Sequence, residues 1–468
     1  MRDRFFPIKN KIKIMNPLIF REYDIRGIAD KDLTDDTVYS IGQGFGTYAQ
    51  NVGVKETVIA GDVRLSTERI RKTLIDGLLA TGMNVFDLGV IPTPVFYFSF
   101  FQYDKNSGIM ITGSHNPQEF NGFKVGLGKT TIYGEEIQNL GKLIESGKFK
   151  QGKGKLSKLN PIPDYIKIVQ NKVKIKSGLK VVFDPGNGTA GIILEELFKG
   201  MGVDPVFINL EPDGNFPAHL PDPTVPKYMK DLIGVVAEMH ADIGIGYDGD
   251  GDRIGAIDEH GNIVYGDKLL AIFARDIISK NPGAKIVFEV KCSQGIIEYI
   301  KSIGGTPMMW KTGHSLIKAK MKQEGALLAG EMSGHMFFAD NYYGYDDAIF
   351  ASARLLKILA EAGKPLSELV AEIPYYHSTP EIRVDCPDEI KFKIVEGIKK
   401  HFQAKYETID IDGVRVVFSD GWGLVRASNT QPVLVLRFEA KTKERLVEIQ
   451  KLFFDQLTKF KEIKLSDA

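Results

Sequence analysis

The stretch "TVIAGDVRLSTERIRKTLIDGLLATGMNVFDLG", residues 57–89, decides the fold. An apolar run leads into a polar loop, apolar residues then recur at helical spacing, Gly82 stops the helix, and a second apolar run follows. The same order returns in "KVVFDPGNGTAGIILEELFKGMGVDPVFIN", 180–209, and in "KIVFEVKCSQGIIEYIKSIGGTPMMWK", 285–311. Strand–helix–strand alternation predicts α/β units with mostly parallel pairing, and three such segments predict three related domains. The tail is different. After "PYYHSTPEIRVDCP" it reads as a helix "DEIKFKIVEGIKKHF", alternating strands "GVRVVFSDGWGLVRAS" and "PVLVLRFEA", and a last helix. That pattern predicts an α+β unit with an antiparallel sheet. The expected domains are 1–159, 160–262, 263–374 and 375–468, in keeping with 468 residues at roughly 150 per domain.

Composition narrows the partners. Lys plus Arg is 60 and Asp plus Glu is 60, so no net field draws in nucleic acid or an anionic membrane, and an anionic ligand needs a local pocket. The two cysteines, Cys292 and Cys386, lie far apart in a chain without an apolar secretory segment, which points to a reducing, cytoplasmic setting without disulfides. No apolar run approaches the roughly 20 residues that cross a bilayer. The first stretch, "MRDRFFPIKNKIKI", is basic without a continuous apolar core and resembles a signal peptide poorly; Met15 is an alternative start.

In α/β domains ligands gather at the carboxyl ends of strands. Three polar clusters follow apolar strands here: Thr112 to Asn116 after "SGIMI", Asp248 to Arg253 after "ADIGIGY", and Gly330 to His335 after "GALLA". Three loops from three units are therefore expected to face one cleft.

"DGDGDR", 248–253, sets three carboxylates at alternate positions on a glycine turn, hard oxygen ligands suited to Mg²⁺ or Ca²⁺. An EF-hand would place ligands at Asp248, Asp250, Asp252 and Glu259. It requires glycine where Arg253 stands, and helical flanks where these alternate like strands. A solvated acidic turn is the plainer alternative, but three aspartates this close repel without a cation. Mg²⁺ is favoured. Within "TGSHNPQEFNGFK", 112–124, Ser114 precedes His115, but adjacent residues rarely point at one another, and there is no G-x-S-x-G elbow. With a divalent ion in the same cleft, Ser114 reads as a phosphoryl carrier, its charge met by the metal and by Lys124; taken alone it could equally be a helix cap. "RASNTQP", 426–432, supplies a guanidinium, hydroxyls, an amide and backbone N–H groups that suit phosphate. "GEMSGH", 330–335, is read as a short extended segment with Glu331 and Ser333 on one side, able to bind vicinal sugar hydroxyls. His219, His240, His260, His377 and His401 lack ligand spacing, Trp310 and Trp422 read as strand packing, and the "GNG" of "DPGNGTAG" reads as a simple turn rather than a nucleotide loop.

Six motifs, "FREYDIRG", "TGSHNPQEFNGFK", "DGDGDR", "KTGHSLIK", "GEMSGHMFF" and "RASNTQPVLVLRFEA", stand in the order seen in the α-D-phosphohexomutases, and the chain closely resembles that family's phosphomannomutase/phosphoglucomutase branch over residues 20 to 440. The resemblance implies three similar α/β domains with mixed sheets and a C-terminal domain with a TATA-binding-protein-like sheet around a central cleft. It implies Ser114 as the phosphorylated residue and Ser114, Asp248, Asp250 and Asp252 as ligands of Mg²⁺. It implies Glu331 and Ser333 on the sugar hydroxyls, and Arg426, Ser428, Asn429 and Thr430 on the phosphate that is not reacting. Tyr23, Arg26, His115, Lys124, Arg253, Lys291, His314 and His335 would line the cleft.

The implied reaction interconverts hexose 1-phosphate and hexose 6-phosphate, mannose or glucose, through a hexose 1,6-bisphosphate that also serves as activator. Lys124 or His115 near Ser114, and His314 or His335 near the sugar, are candidate proton carriers, with Arg26 beside them. A closing lid is expected in the last domain, with a hinge near residue 374. "GEMSGH" instead of "GEQSGH" leans away from a phosphoglucosamine mutase. A Mg²⁺-dependent sugar phosphatase and a catalytically silent sugar-phosphate sensor are the rival readings. Small hexose phosphates are the expected partners of a monomer or weak homodimer.

Overall fold

The computed structural model describes residues 15–176, 178–429 and 431–463. The basic stretch 1–14, with the choice of start that it raises, and Thr430 lie outside the described residues. Four sheets follow one another along the chain. The first carries the strands Ile25–Ile28, Phe120–Leu127, Ser107–Ile111, Glu56–Gly61, Asn84–Val90 and Leu156–Lys158 in that spatial order, with Thr130–Thr131 off its path. The second runs Ile263–Val264, Ile254–Asp258, Ile243–Tyr247, Leu179–Asp184, Val203–Phe207. The third runs Thr306–Trp310, Lys285–Glu289, Leu328–Gly330, Met336–Phe338.

One plan underlies these three sheets. A central strand (Glu56–Gly61, Leu179–Asp184, Lys285–Glu289) pairs in parallel on both sides, once with the strand after its helix and once with the first arm of an antiparallel hairpin. The hairpins are Ser107–Ile111 with Phe120–Leu127, Ile243–Tyr247 with Ile254–Asp258, and Leu328–Gly330 with Met336–Phe338. Each hairpin tip is one of the three polar clusters. The expected α/β units with mixed sheets are therefore present, and the central strands and first hairpin arms are largely buried on both faces because helices cover them.

A carboxylate ends each central strand and ties its exit loop. Asp62 accepts the N–H of Arg64 and of Gly113, Asp184 that of Gly186, and Glu289 those of Lys291 and Met332. In the first and third units the same side chain thus fastens the hairpin tip to the central strand, which is why those tips hold a defined shape at a cleft.

The fourth sheet is wholly antiparallel: His377–Ser378, Val433–Ala440, Gly421–Ala427, Val414–Phe418, Glu407–Ile409, with Ile382–Asp385 also on Val433–Ala440. The helices Asp388–Gln403 and Lys443–Leu457 pack on it.

Core continuity separates the units unequally. The helix Thr93–Gln102 is apolar all round and sits inside the protein, so Phe96, Phe98 and Phe100 join one core with Tyr165 and Ile245 of the second unit and Phe338 and Phe350 of the third. The fourth unit has its own core around Val416, Leu436 and Phe453. It meets the third through a small apolar cluster of Val290, Trp422 and Leu424 and through polar contacts: Arg415, fully buried, donates to the carbonyls of Val290 at 2.7 Å and Cys292 at 2.8 Å, with its Cζ 3.7 Å from the Trp422 ring centroid. Trp422 thus does more than fill a strand, since it holds an interface cation. Arg415→Met leaves two buried carbonyls without donors and is expected to cost about 2–4 kcal/mol, read as a lower urea midpoint.

Candidate active site

The cleft between the four units encloses a cavity of about 590 Å³. Its lining includes Tyr23, Arg26, Ser114, His115 and Lys124 from the first unit, Arg253 from the second, Lys291, His314, Glu331, Ser333 and His335 from the third, and Arg426, Ser428 and Asn429 from the fourth. Residues remote in sequence converge because strand exits and hairpin tips, which carry Ser114, His115, Arg253, Lys291 and the 331–335 loop, open onto the same cleft into which Arg26, Lys124 and Arg426 project from their strands. Arg383, Gln431 and Arg437 line it as well. The sequence reading missed these three, although Arg437 lies on the quoted strand "PVLVLRFEA" and alternation places it on the same face as Val435.

Ser114 sits in the left-handed region, φ 48°, at the tip of the first hairpin. Its Oγ donates to Asp248 Oδ2 at 2.7 Å and lies 3.0 Å from His115 Nδ1. The expectation that neighbouring serine and histidine do not meet is therefore corrected, and the left-handed backbone is the reason: it turns the two adjacent side chains to one side. A hydroxyl has one proton. With that proton on the Asp248 bond, His115 Nδ1 is the donor to Ser114.

The acidic loop lies between strands, Ile243–Tyr247 and Ile254–Asp258, so the EF-hand alternative has no helices to rest on. Glu259, its supposed last ligand, instead bonds the Ser367 hydroxyl. Ligand oxygens of Asp248, Asp250 and Asp252 lie within 4.8 Å of one another, all fully buried. Asp250 Oδ1 has no partner among the described residues although it is buried, an acceptor left open on the loop. Three carboxylates with Ser114 Oγ beside them form an all-oxygen donor set that fits Mg²⁺. Thr189 holds the loop from below, its N–H 3.0 Å from the Gly249 carbonyl. The "PGNGT" run is thus a turn supporting the acidic loop.

Charge is arranged around that loop. Lys124 Nζ donates to Asp250 Oδ2 at 2.6 Å and to Asp252, so it faces the carboxylates, and they raise its pKa against the effect of burial. Burial, then Asp252 and Asp250, pushes the Asp248 carboxyl well above the usual range. Burial works the same way on Asp252, but Lys124, His335 and Arg253 outweigh it and hold that carboxyl well below.

His335 bridges two units, with Nε2 3.2 Å from Asp252 Oδ1 and Nδ1 2.7 Å from Glu331 Oε2. Burial disfavours its charge, yet Asp252 and Glu331 lift its pKa to about 9, so both nitrogens donate at neutral pH. His115 and His314 go the other way. Burial lowers both well below the ordinary histidine range, helped at His115 by Arg253 and Arg26 and at His314 by Lys318 and Lys124. His115 and His314 are thus neutral proton acceptors, while Lys124 and His335 are charged donors.

Residues 331–334 form a turn, not the extended segment expected, because Glu331 N–H bonds back to the His335 carbonyl across the hairpin tip. Glu331 and Ser333 reach the cavity all the same. Glu331 Oε1 also accepts the N–H of Gly313 at 2.7 Å, tying this loop to the one that carries His314.

The fourth unit's polar loop is anchored before any ligand arrives. Arg426 Nε donates to Asp412 Oδ2 at 2.9 Å, the same oxygen that accepts the Thr312 N–H at 3.1 Å. Tyr23 Oη donates to the Thr312 carbonyl at 2.8 Å and accepts from Asn429 Nδ2 at 2.6 Å, so three units meet at one phenol. Lys291 Nζ donates to Glu381 Oε2 at 2.9 Å, and Arg26 to Asp24. Cations are thus held on carboxylates at the wall of the cleft, ready to turn to an anionic ligand.

Comparison with known proteins matches all four units to one family. The models for phosphoglucomutase/phosphomannomutase alpha/beta/alpha domains I, II and III match residues 17–151, 163–261 and 265–376, and the model for the C-terminal domain matches 381–456. A phosphomannomutase/phosphoglucomutase of Pseudomonas aeruginosa is 45% identical over 94% of this chain and 95% of its own. A probable phosphoglucosamine mutase of Pyrococcus abyssi is more distant, 34% identical over 93% and 97%. A crystal structure of a phosphoglucomutase/phosphomannomutase family protein from Burkholderia thailandensis superposes with a TM-score of 0.90 at 41% identity, covering 95% of this chain and 98% of that one.

Proposed function

The chain belongs to the phosphoglucomutase/phosphomannomutase family, the α-D-phosphohexomutases, and interconverts hexose phosphates; on that premise we propose that Ser114 carries the phosphoryl group and that the substrates are the 1- and 6-phosphates of mannose and glucose. The observation that carries this reading is the buried Ser114 hydroxyl, 2.7 Å from an all-oxygen acidic loop at the edge of a cation-lined cavity.

In the forward direction the free hydroxyl of a hexose 1-phosphate attacks the phosphorus of phospho-Ser114. The new P–O bond forms as the Ser114 Oγ–P bond breaks, and the hydroxyl proton passes to a neutral base. His314 and His115 have the charge state for that acceptance, while protonated Lys124 and His335 balance the anionic charge. The resulting 1,6-bisphosphate turns over within the cleft. Ser114 Oγ then bonds to the phosphorus at C1 as the C1 oxygen–phosphorus bond breaks, the serine proton passing through the base to the C1 oxygen, and a hexose 6-phosphate is left. Asp248, Asp250, Asp252 and Ser114 would hold Mg²⁺, which when bound neutralises charge on the transferring phosphoryl group.

Glu331 and Ser333 orient the sugar, with Lys291 and Tyr23 beside it. Arg26 and Arg253 face the reacting phosphoryl. Arg426, Ser428 and Asn429 grip the other phosphate, and Thr430 belongs to the same loop. The separate core of the fourth unit supports closure over the cleft with a pivot near residue 374. Among the described residues no helix is long and apolar enough to cross a membrane, and both cysteines are free and buried. We place the enzyme in the cytoplasm as a monomer or weak homodimer, with hexose 1,6-bisphosphate as its activator.

Intact-mass analysis with peptide mapping, followed by assays with glucose 1-phosphate, mannose 1-phosphate and glucosamine 1-phosphate, tests the reading. Phosphate on Ser114 and turnover of the first two sugars are expected. Turnover of glucosamine 1-phosphate alone, or release of inorganic phosphate as fast as isomer, would replace it.

A further inference from the structure

We infer that Arg64 is the positioning residue of the phosphoryl-carrying loop, an inference that rests on Ser114 being the carrier. Arg64 is 2% exposed and its guanidinium lies under the hairpin tip. Nη2 donates to the Ser114 carbonyl at 2.8 Å and to that of Asn116, while Nη1 donates to the carbonyls of Pro117 at 2.6 Å and Phe120 at 3.0 Å. Four carbonyls turned toward one point repel one another, and a planar fork of donors gathers them. Besides those carbonyls the guanidinium meets the Asp62 carboxylate and the Phe216 ring, 5.3 Å from its centroid, and Arg64 is not part of the cavity lining.

Three further observations tie the clamp to the Ser114 hydroxyl. Ser114 sits at φ 48°, a conformation that a non-glycine residue keeps only when its surroundings hold it, and its own carbonyl is one of the four. A Cβ on Gly113 would meet Arg64 Nε at 2.4 Å, so glycine before the serine is what lets the guanidinium lie flat against the loop. A Cβ on Gly249 would meet the Ser114 carbonyl oxygen at 2.6 Å, so the acidic loop rests on the very carbonyl that Arg64 fixes. Asp62 completes the support. It accepts the N–H of Arg64 at 3.0 Å and of Gly113 at 3.0 Å, and its Oδ2 lies 3.2 Å from Arg64 Nε.

The test is Arg64→Lys in the full chain, with Asp62→Asn beside it. Lysine keeps the charge but offers donors from one atom, so it cannot span four carbonyls. A displaced nucleophile lowers kcat by about 100-fold at unchanged KM for glucose 1-phosphate. A second readout separates positioning from mere loss of fold. When the seat is loose, water competes for phospho-Ser114, cleaving its O–P bond to give serine and inorganic phosphate, so the ratio of inorganic phosphate to isomer rises. That ratio is counted per turnover and does not depend on how much protein is folded.

A kcat that falls only with the folded fraction, at the native ratio, overturns the inference, as does a loss confined to KM. Should Arg64→Lys fail to accumulate, Asp62→Asn carries the same expectation, and native kcat and ratio there are equally contrary. Wild-type protein that turns over without phosphate on Ser114 defeats the carrier reading itself. Phosphorylated wild type beside an unaltered Arg64→Lys defeats this inference alone.

Discussion

Ser114→Ala is expected to remove both the covalent phosphate and the turnover, with activity falling by about 10⁴-fold or more, the scale seen when a covalent nucleophile is deleted. The loss does not require the fold to be disturbed. Ser114 Oγ makes one bond to Asp248 and one contact with His115, both within the cleft, so alanine keeps the Cβ in place and loses only a cleft-facing oxygen, without opening a core. Thermal stability should therefore stay close to that of the parent, and binding of hexose phosphate should persist, because Arg253, Lys291 and Arg426 are untouched. Calorimetric titration with glucose 1-phosphate alongside the assay checks both halves. Retained turnover in this variant would remove Ser114 from the mechanism.

Stripping divalent ions is the second large effect. A chelator should lower turnover by about 10³-fold, with Mg²⁺ restoring it, since phosphoryl transfer depends on neutralising charge at the transferring group. Asp248→Asn should lose activity to a similar degree, yet it should make the metal-free protein more stable. Burial, with Asp252 and Asp250 close by, pushes the Asp248 carboxyl well above the usual range, so ionising it is unfavourable in the metal-free fold. Asparagine retains an oxygen for the N–H groups of Asp252 and Arg253, both 3.1 Å from Asp248 Oδ1.

Above the ordinary carboxylate range the unfolded Asp248 has released a proton that the folded one still holds, so metal-free stability declines as pH rises through that window. Melting curves across pH with chelator present should show a decline that is shallower in Asp248→Asn. Equal slopes, or activity indifferent to the chelator, would contradict the assignment of this loop.

Local chemistry made much of this protein legible from its chain. Strand and helix periods marked three α/β units and an unlike fourth, because amphipathicity is written in consecutive residues. The carboxylates of Asp248, Asp250 and Asp252 stood out for the same reason, being spaced within one turn. What only the tertiary structure decided were contacts between residues dozens to hundreds of positions apart: Lys124 facing Asp250 and Asp252, His335 reaching Asp252, Tyr23 joining Thr312 to Asn429. The meeting of Ser114 with His115 was hidden for another reason, since a left-handed φ at a serine leaves no mark in residue type. Arg64 was silent too, because its partners are carbonyl oxygens that every residue carries, and only the path of the chain brings four of them to one guanidinium.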